Sequence, residues 1–219
     1  MLLGGIGCAL PSGKQSVMVL DTGDRITRAF RGFHQDSFPT DFWTCEDGDL
    51  RSIPGKRVDL ITREKFEDFE FECDWKLPPG GNSGIFIGVT EATSETYWSA
   101  PEMQINEDVL NPDGKVPNTS AGALYGLIAP NDRKRLKPAG EYNHAGIVSR
   151  NGHVEYWLNH ERIVEYEWDG AAVRELIQHS KFKDQPYFMK DRNGYIGLQS
   201  EGYEVWFRNI RIRRLPKVD

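Results

Sequence analysis

No stretch of this chain holds about 18 consecutive apolar residues, so no helix reads as a membrane span. Positive charge is not in excess either: 27 Lys and Arg face 33 Asp and Glu, a formal net charge of −6. Phosphate backbones need a basic surface, so nucleic acid is excluded as the main partner, and neutral or cationic ligands suit the chain better. Cysteine is scarce, three in 219 residues, which is too few for a disulfide framework. Cys73 falls on the apolar parity of a strand and reads as a buried, inert thiol, while a pairing with Cys45 stays open. The scattered His153, His160 and His179 lack metal-ligand spacing such as His-x-x-x-His, so no catalytic zinc and no cofactor is expected. Neither a Ser-His-Asp nor a Cys-His pattern is present. Pro78-Pro-Gly-Gly-Asn-Ser-Gly84 is no phosphate loop, because no lysine follows in the required place and no helix pattern opens behind it. Internal repeats are missing, and one short helix is expected near Gly170 to Phe182. There Val173, Leu176, Ile177 and Ser180 fall at i, i+3, i+4 and i+7, with Asp169 as cap.

What the chain has instead is alternation. Phe69, Phe71, Cys73 and Trp75 share one parity and Glu70, Glu72 and Asp74 the other, the signature of a half-buried strand. Glu102, Gln104 and Asn106 share a parity, with Met103 and Ile105 between them; carboxylates and amides on one face are the raw material of a sugar site. Further strands are expected at Leu50 to Ile53, Arg57 to Thr62, Ala123 to Ile128, Tyr142 to Ser149, His153 to Asn159, Glu161 to Glu167, Gly194 to Gln199 and Glu204 to Ile212. Arg150-Asn-Gly152 between two alternating runs is a hairpin signal. Parity slips between Phe207 and Ile210, which places a bulge near Asn209. Many short strands, regular turns, 11% aromatics and 22 glycines imply an all-β antiparallel β-sandwich.

Residues 1–25 lack periodicity and are assigned to a flexible N-terminal segment, with the sandwich domain over 26–219. Met1-Leu-Leu-Gly-Gly-Ile-Gly7 has no positive n-region and is too short for a whole signal peptide. It reads either as a disordered N-terminus or as the tail of a signal peptide, with Cys8 as a lipid-anchor acceptor. The second alternative would place the protein in the periplasm, at the cell surface or outside the cell.

Asp68-Phe-Glu-Phe-x-x-Asp-Trp-Lys76, Gly-Asn-Ser-Gly-Ile-Phe86, Pro-Glu-x-Gln104, Gly-Ala-Leu-Tyr125, Lys-Pro-Ala-Gly-Glu-Tyr-Asn143, Val-Glu-Tyr-Trp-Leu-Asn159 and Trp-Phe-Arg-Asn-Ile-Arg211 occur in this order. Together they resemble the bacterial 3-keto-disaccharide hydrolase family, over about Phe30 to Leu215. The resemblance implies a concanavalin-like jelly roll with a cleft on its concave sheet, and a carbohydrate partner already oxidised at C-3. The layout of Glu102-x-Gln-x-x-Glu107 is also similar to the Glu-x-Asp-x-x-Glu strand of laminarinase-type glucanases. On that analogy Glu102 and Glu107 are the catalytic pair, although Gln104 stands where the glucanase has aspartate and strict alternation puts Glu107 opposite Glu102. Family members often carry His-Gly where this chain reads Glu201-Gly202; if that histidine acts in catalysis, this chain either uses Glu201 instead or has altered chemistry.

Ordinary glycoside hydrolysis wants two carboxylates flanking the bond, and the sequence offers Glu102 with Glu107 or with Asp74. A keto group at C-3 acidifies the C-2 proton and opens a second route, elimination of the aglycone followed by hydration. That route needs a base, an acid and a donor to the enolate oxygen. Candidate substrate contacts are Asp74, Asn82, Gln104, Tyr125, Asn143, His144, Trp157, Gln199 and Glu201. A Ca²⁺ held by Asp and backbone oxygens is compatible with such sandwiches. The rival readings are a non-catalytic, lectin-like carbohydrate-binding module and a surface interaction domain, because the fold does not fix function.

Overall fold

The computed structural model describes residues 17–217. In chain order its elements are β1 (Val17–Leu20), α1 (Gly23–Ala29), β2 (Phe30–Gly32), β3 (Trp43–Glu46), β4 (Asp49–Ser52), β5 (Leu60–Thr62), β6 (Phe69–Lys76) and β7 (Asn82–Val89). They continue with β8 (Glu102–Asn106), β9 (Asn143–Arg150), β10 (His153–Leu158), β11 (Glu161–Glu167), α2 (Ala171–Gln178), β12 (Tyr195–Leu198) and β13 (Trp206–Arg214). Two antiparallel sheets result. One has eight strands in the order β11-β10-β9-β6-β13-β4-β3, with β1 also paired to β13; the other has five, β2-β5-β12-β7-β8. The all-β sandwich expected from the alternation is therefore present. No helix among the described residues is long and apolar enough to cross a membrane.

The core lies between the sheets. From the larger sheet it takes Phe69, Phe71, Cys73 and Trp75 of β6, whose burial alternates as the sequence requires. Across from them stand Ile85 and Ile87 of β7, Met103 and Ile105 of β8, and Ile196 and Leu198 of β12. Each such side chain contributes about 1.5–3 kcal/mol by leaving water. The five-stranded sheet is buried on its outer face as well. Ile61, Phe86, Val89 and Ala100 form a second apolar cluster there, and all five residues of β8 are buried. Cover comes from Tyr97 and Trp98 of the segment joining β7 to β8, from Asp113 and Tyr125 of the connection 107–142, and from Lys181 of the connection 168–194 that carries α2.

Several local expectations hold. The Asn151-Gly152 turn has φ of +51° and +90° and joins β9 to β10. Asn209 at φ +53° marks a register break between Arg208 and Arg211 on β13. Cys45 and Cys73 are free thiols.

Others need correction. Residues 17–25, expected to be flexible, are ordered: β1 extends the larger sheet by pairing with β13, and Thr22 caps α1 by accepting the N–H of Arg25. The described residues therefore hold two α-helices, not one. The seven-residue α1 escapes a periodicity search because it buries one side chain, Ile26. The second helix starts at Gly170 without a side-chain cap, so Asp169 does not serve as one. Ala123 to Ile128 is a turn bridged to the free edge of β8 instead of a strand, with Gln104 N–H donating to the Ala123 carbonyl at 3.0 Å. Cys8 lies outside the described residues.

Candidate active site

On its outer face the five-stranded sheet opens a cavity of about 380 Å³ lined by Arg57, Asn82, Tyr97, Trp98, Glu102, Gln104, Asp113, Tyr125, Lys181, Gln199 and Glu201. The alternation of β8 supplies its floor: Met103 and Ile105 point to the core, so Glu102 and Gln104 point out. Asn82 and Gly84 of β7 lie opposite Asn106 and Gln104, and Gln199 follows β12 with its N–H on the Gly84 carbonyl at 2.9 Å. Gly84 is where the Glu102 carboxyl fits; a Cβ there would stand 2.8 Å from Glu102 Cδ. The neighbouring strand thus has a gap cut for that one carboxyl.

Loops bring the remaining walls. Asn111 accepts the N–H of Asp113 and fixes a 3-10 turn from which Asp113 receives bonds of 3.4 Å from both Asn82 Nδ2 and Tyr125 Oη. Tyr125 is placed by its N–H on the Glu102 carbonyl. Lys181, just past α2, lies 4.4 Å above the Tyr125 ring, while the adjacent Phe182 stacks on Phe188 and meets the Trp98 edge. Gln199 donates to Glu201 at 3.0 Å, and Arg57 pairs with the other Glu201 oxygen at 3.2 Å.

Electrostatics single out Glu102. Its side chain makes no hydrogen bond, and burial raises its pKa well above 4.5; Lys181 opposes the shift, while Glu201, Asp59 and Asp113 add to it. Around it, Asn82 Oδ1, Gln199 Oε1 and both terminal atoms of Gln104 are buried without a partner. A buried polar atom left unbonded costs about 1–3 kcal/mol, so four of them on one cavity wall call for an occupant rich in hydroxyls. Tyr125 is pushed up to about 12, first by burial and then by Asp113 and Glu102, and it keeps its proton at neutral pH.

The candidate residues thus divide. Asn82, Glu102, Gln104, Tyr125, Gln199 and Glu201 converge. Asp74, His144 and Trp157 sit on the other sheet. Asp74 accepts from His144 Nδ1 at 2.9 Å and Asn209 Nδ2 at 2.8 Å, and Trp157 donates to Glu155. Asn143 is consumed structurally by the Lys137 N–H and Asn159 Nδ2. Among the described residues, His153, Glu155 and Glu165 are close enough together to share a metal, but they too lie on the eight-stranded sheet and Arg162 already pairs with both carboxylates.

Glu107 does not reach the cavity. Its carboxylate accepts the N–H groups of Gly80 and Leu110 at 2.9 Å and of Val109 at 3.1 Å. Burial works to raise its pKa, but those three donors outweigh it and hold the group below 4.5. A depressed carboxylate stabilises the fold above its unfolded pKa, and the contribution fades as pH falls through the folded value. Glu107→Ala is accordingly expected to cost about 2 kcal/mol near neutral pH, since orphaned donors cost about 1–3 kcal/mol and two of them can turn to water. The loss should shrink below about pH 4, and kcat should change little. Urea titration at several pH values with parallel kinetics checks this; a thousandfold fall in kcat would return Glu107 to the chemistry.

Arg57, Tyr97, Trp98, Asp113 and Lys181 are site residues that the sequence did not disclose. Tyr97 and Trp98 carry a faint signal, two adjacent aromatics within the polar insert before Glu102. Lys181 carries none.

Comparison with known proteins follows from this geometry. The model of a family described as the 3-keto-alpha-glucoside-1,2-lyase-like domain matches residues 23–213. A 3-keto-disaccharide hydrolase of Bacteroides thetaiotaomicron is 35% identical over 217 residues, covering 85% of this chain and 74% of the relative. A crystal structure from Parabacteroides distasonis, whose name proposes glycosyl hydrolase activity, superposes with a TM-score of 0.79 at 25% identity over 86% of this chain and 89% of that one. A Bacillus subtilis protein with a galectin-like fold superposes with a TM-score of 0.56 at 14% identity, over 93% and 96% of the two chains, which is a likeness of fold alone.

Proposed function

Because the chain belongs to the 3-keto-alpha-glucoside-1,2-lyase-like family, we propose that it cleaves 3-keto-glycosides in the cavity around Glu102, by elimination followed by hydration. The observation that carries the reading is the pairing of one buried carboxyl without a hydrogen bond with a wall of unpartnered amide atoms. A polyhydroxylated ligand, whose hydroxyls both donate and accept, would satisfy that wall while leaving the carboxyl free to react.

In the first step Glu102, ionised, removes the proton at C-2, and the C–H electron pair moves into an enolate whose negative charge rests on the C-3 oxygen. A base of raised pKa suits a weakly acidic C–H, because proton transfer is most efficient when the pKa of the base lies near the operating pH. Gln104 can donate from Nε2 to the developing oxyanion while Oε1 accepts from a hydroxyl. Lys181 and Arg57 also line the cavity and bring positive charge to it. Preorganised donors of this kind are worth about 3–4 kcal/mol each when aimed at charge that forms in the transition state. In the second step the enolate pair re-forms the C-3 carbonyl, C-1 and C-2 become doubly bonded, and the bond from C-1 to the aglycone oxygen breaks. The departing oxygen takes the proton now on Glu102. Water then adds across the new double bond to give the 3-keto sugar.

Direct displacement would need a second carboxylate placed to attack C-1 or activate water. Glu107 is occupied elsewhere, and Asp113 is held by Asn82 and Tyr125. The deciding experiment uses a 3-keto-glucoside deuterated at C-2. Elimination predicts that the label exchanges into solvent and that its removal slows turnover; complete retention in the product, with no isotope effect, sinks the elimination route.

A further inference from the structure

A second cavity of about 330 Å³ adjoins the first and shares Arg57, Tyr97 and Glu201 with it. Its other walls include His34, Asp59, Ser94 and Glu95. Resting on the 3-keto-glycoside reading, we propose that this compartment holds the leaving half of the substrate and is built for a neutral polyol, with the scissile bond crossing the wall formed by Tyr97 and the Arg57–Glu201 pair.

Three observations lead there. The compartment is similar in volume to the Glu102 pocket, about 330 Å³ against 380 Å³, so it has room for a group of comparable size. Its chemistry is polar and acceptor-rich: Asp59, Glu95 and Glu201 stand against a single guanidinium, and that guanidinium is paired with Glu201. Carboxylates accept hydrogen bonds and repel anions, which favours hydroxyl groups over a phosphate or a uronate. The half-buried Asp59 is held in place by the Ser200 N–H at 2.9 Å and by the Thr96 hydroxyl, and its surroundings push it up to about 6, first through desolvation. Phe33 and His34, whose rings pack at 4.1 Å, and Tyr97 all line the compartment and give a pyranose ring aromatic surfaces to lie against.

The test compares three substrates on the full chain: a neutral 3-keto-glucosyl-glucose, its glucuronate counterpart, and methyl 3-keto-glucoside, whose one-carbon aglycone leaves the second compartment empty. The neutral disaccharide should exceed the uronate in kcat/KM by about tenfold or more, the scale on which one mismatched group in a binding pocket discriminates. Ser94→Trp, at an exposed position, fills the compartment and should lower the ratio of kcat/KM for disaccharide over methyl glycoside by about tenfold. Glu95→Lys should narrow the preference against the uronate. Equal changes for disaccharide and methyl glycoside in Ser94→Trp, or an unchanged uronate preference in Glu95→Lys, overturn the proposal. If wild type turns over none of the three, the 3-keto-glycoside reading fails, and saturation-transfer NMR with glucose judges the compartment by itself. Contact kept in Glu102→Gln but lost in Ser94→Trp upholds it, and no contact with wild type overturns it.

Discussion

Glu102→Gln is expected to lower kcat/KM for a 3-keto-glucoside by about a thousandfold, within the range of about 10²–10⁴ typical of losing a general base. Glutamine keeps the volume and polar character of glutamate, so the gap over Gly84 stays filled, but an amide cannot take up a proton from carbon. Loss of activity through misfolding is distinguished by stability, where the same substitution is expected to help. Burial raises the folded-state pKa of Glu102 well above 4.5. A group raised in this way contributes its full stability below its unfolded pKa and loses it as pH climbs toward the folded value. Across that window wild type gives up about 1.4 kcal/mol per pH unit from this one group, whereas the amide does not titrate. Urea unfolding at about pH 4, 6 and 8 should therefore show the variant gaining on wild type as pH rises above about 4.5. A difference independent of pH would mean that Glu102 is ionised in the folded protein, and the assignment of a high-pKa base would fall.

Gly84→Ala should be nearly as damaging although it touches no charge. The added methyl would sit 2.8 Å from Glu102 Cδ and 2.9 Å from its Cγ, closer than real Cβ atoms approach carbon. The carboxyl has to leave its place over β7, and a displacement of about 1 Å can cost about 10²-fold in rate. Overpacking of a buried position adds about 1–3 kcal/mol of destabilisation. The double variant Gly84→Ala/Glu102→Ala separates the two effects. Removing the glutamate relieves the clash, so stability should return toward that of Glu102→Ala while activity stays low. If Gly84→Ala retains full activity, the gap at Gly84 is not what seats the base.

These two residues show how far sequence reaches. That Glu102 and Gln104 face away from Met103 and Ile105 follows from strand geometry alone, and so does the inward set Phe69, Phe71, Cys73 and Trp75. The same rule places Asp74 and His144 on an outer face as well, and from sequence the two outer faces look alike. They differ in what covers them. On the five-stranded sheet Glu102 and Gln104 are buried beside residues of the connections 90–101, 107–142 and 168–194, and the Glu102 pKa is raised, whereas Asp74 on the other sheet pairs with His144, Asn209 and Arg208.

Glu107 lies outside the cavity for a related reason. Its distance along the chain from Glu102 matches the glucanase pattern, but its carboxylate is spent on the N–H groups of a turn. Hydrogen bonds between a side chain and the backbone of distant residues leave no periodic trace.

The amino-acid order thus determines which residues share a face, the hairpin at Asn151-Gly152, the bulge at Asn209 and membership of the family, because strand alternation, turn conformation and ordered motifs are local or linear properties. The tertiary structure alone decides that the outer face of the five-stranded sheet carries the cavity around Glu102, that Arg57, Asp113 and Lys181 line it, and that the Glu102 pKa is raised. Each of those depends on segments distant in sequence meeting over β8 and excluding water from it.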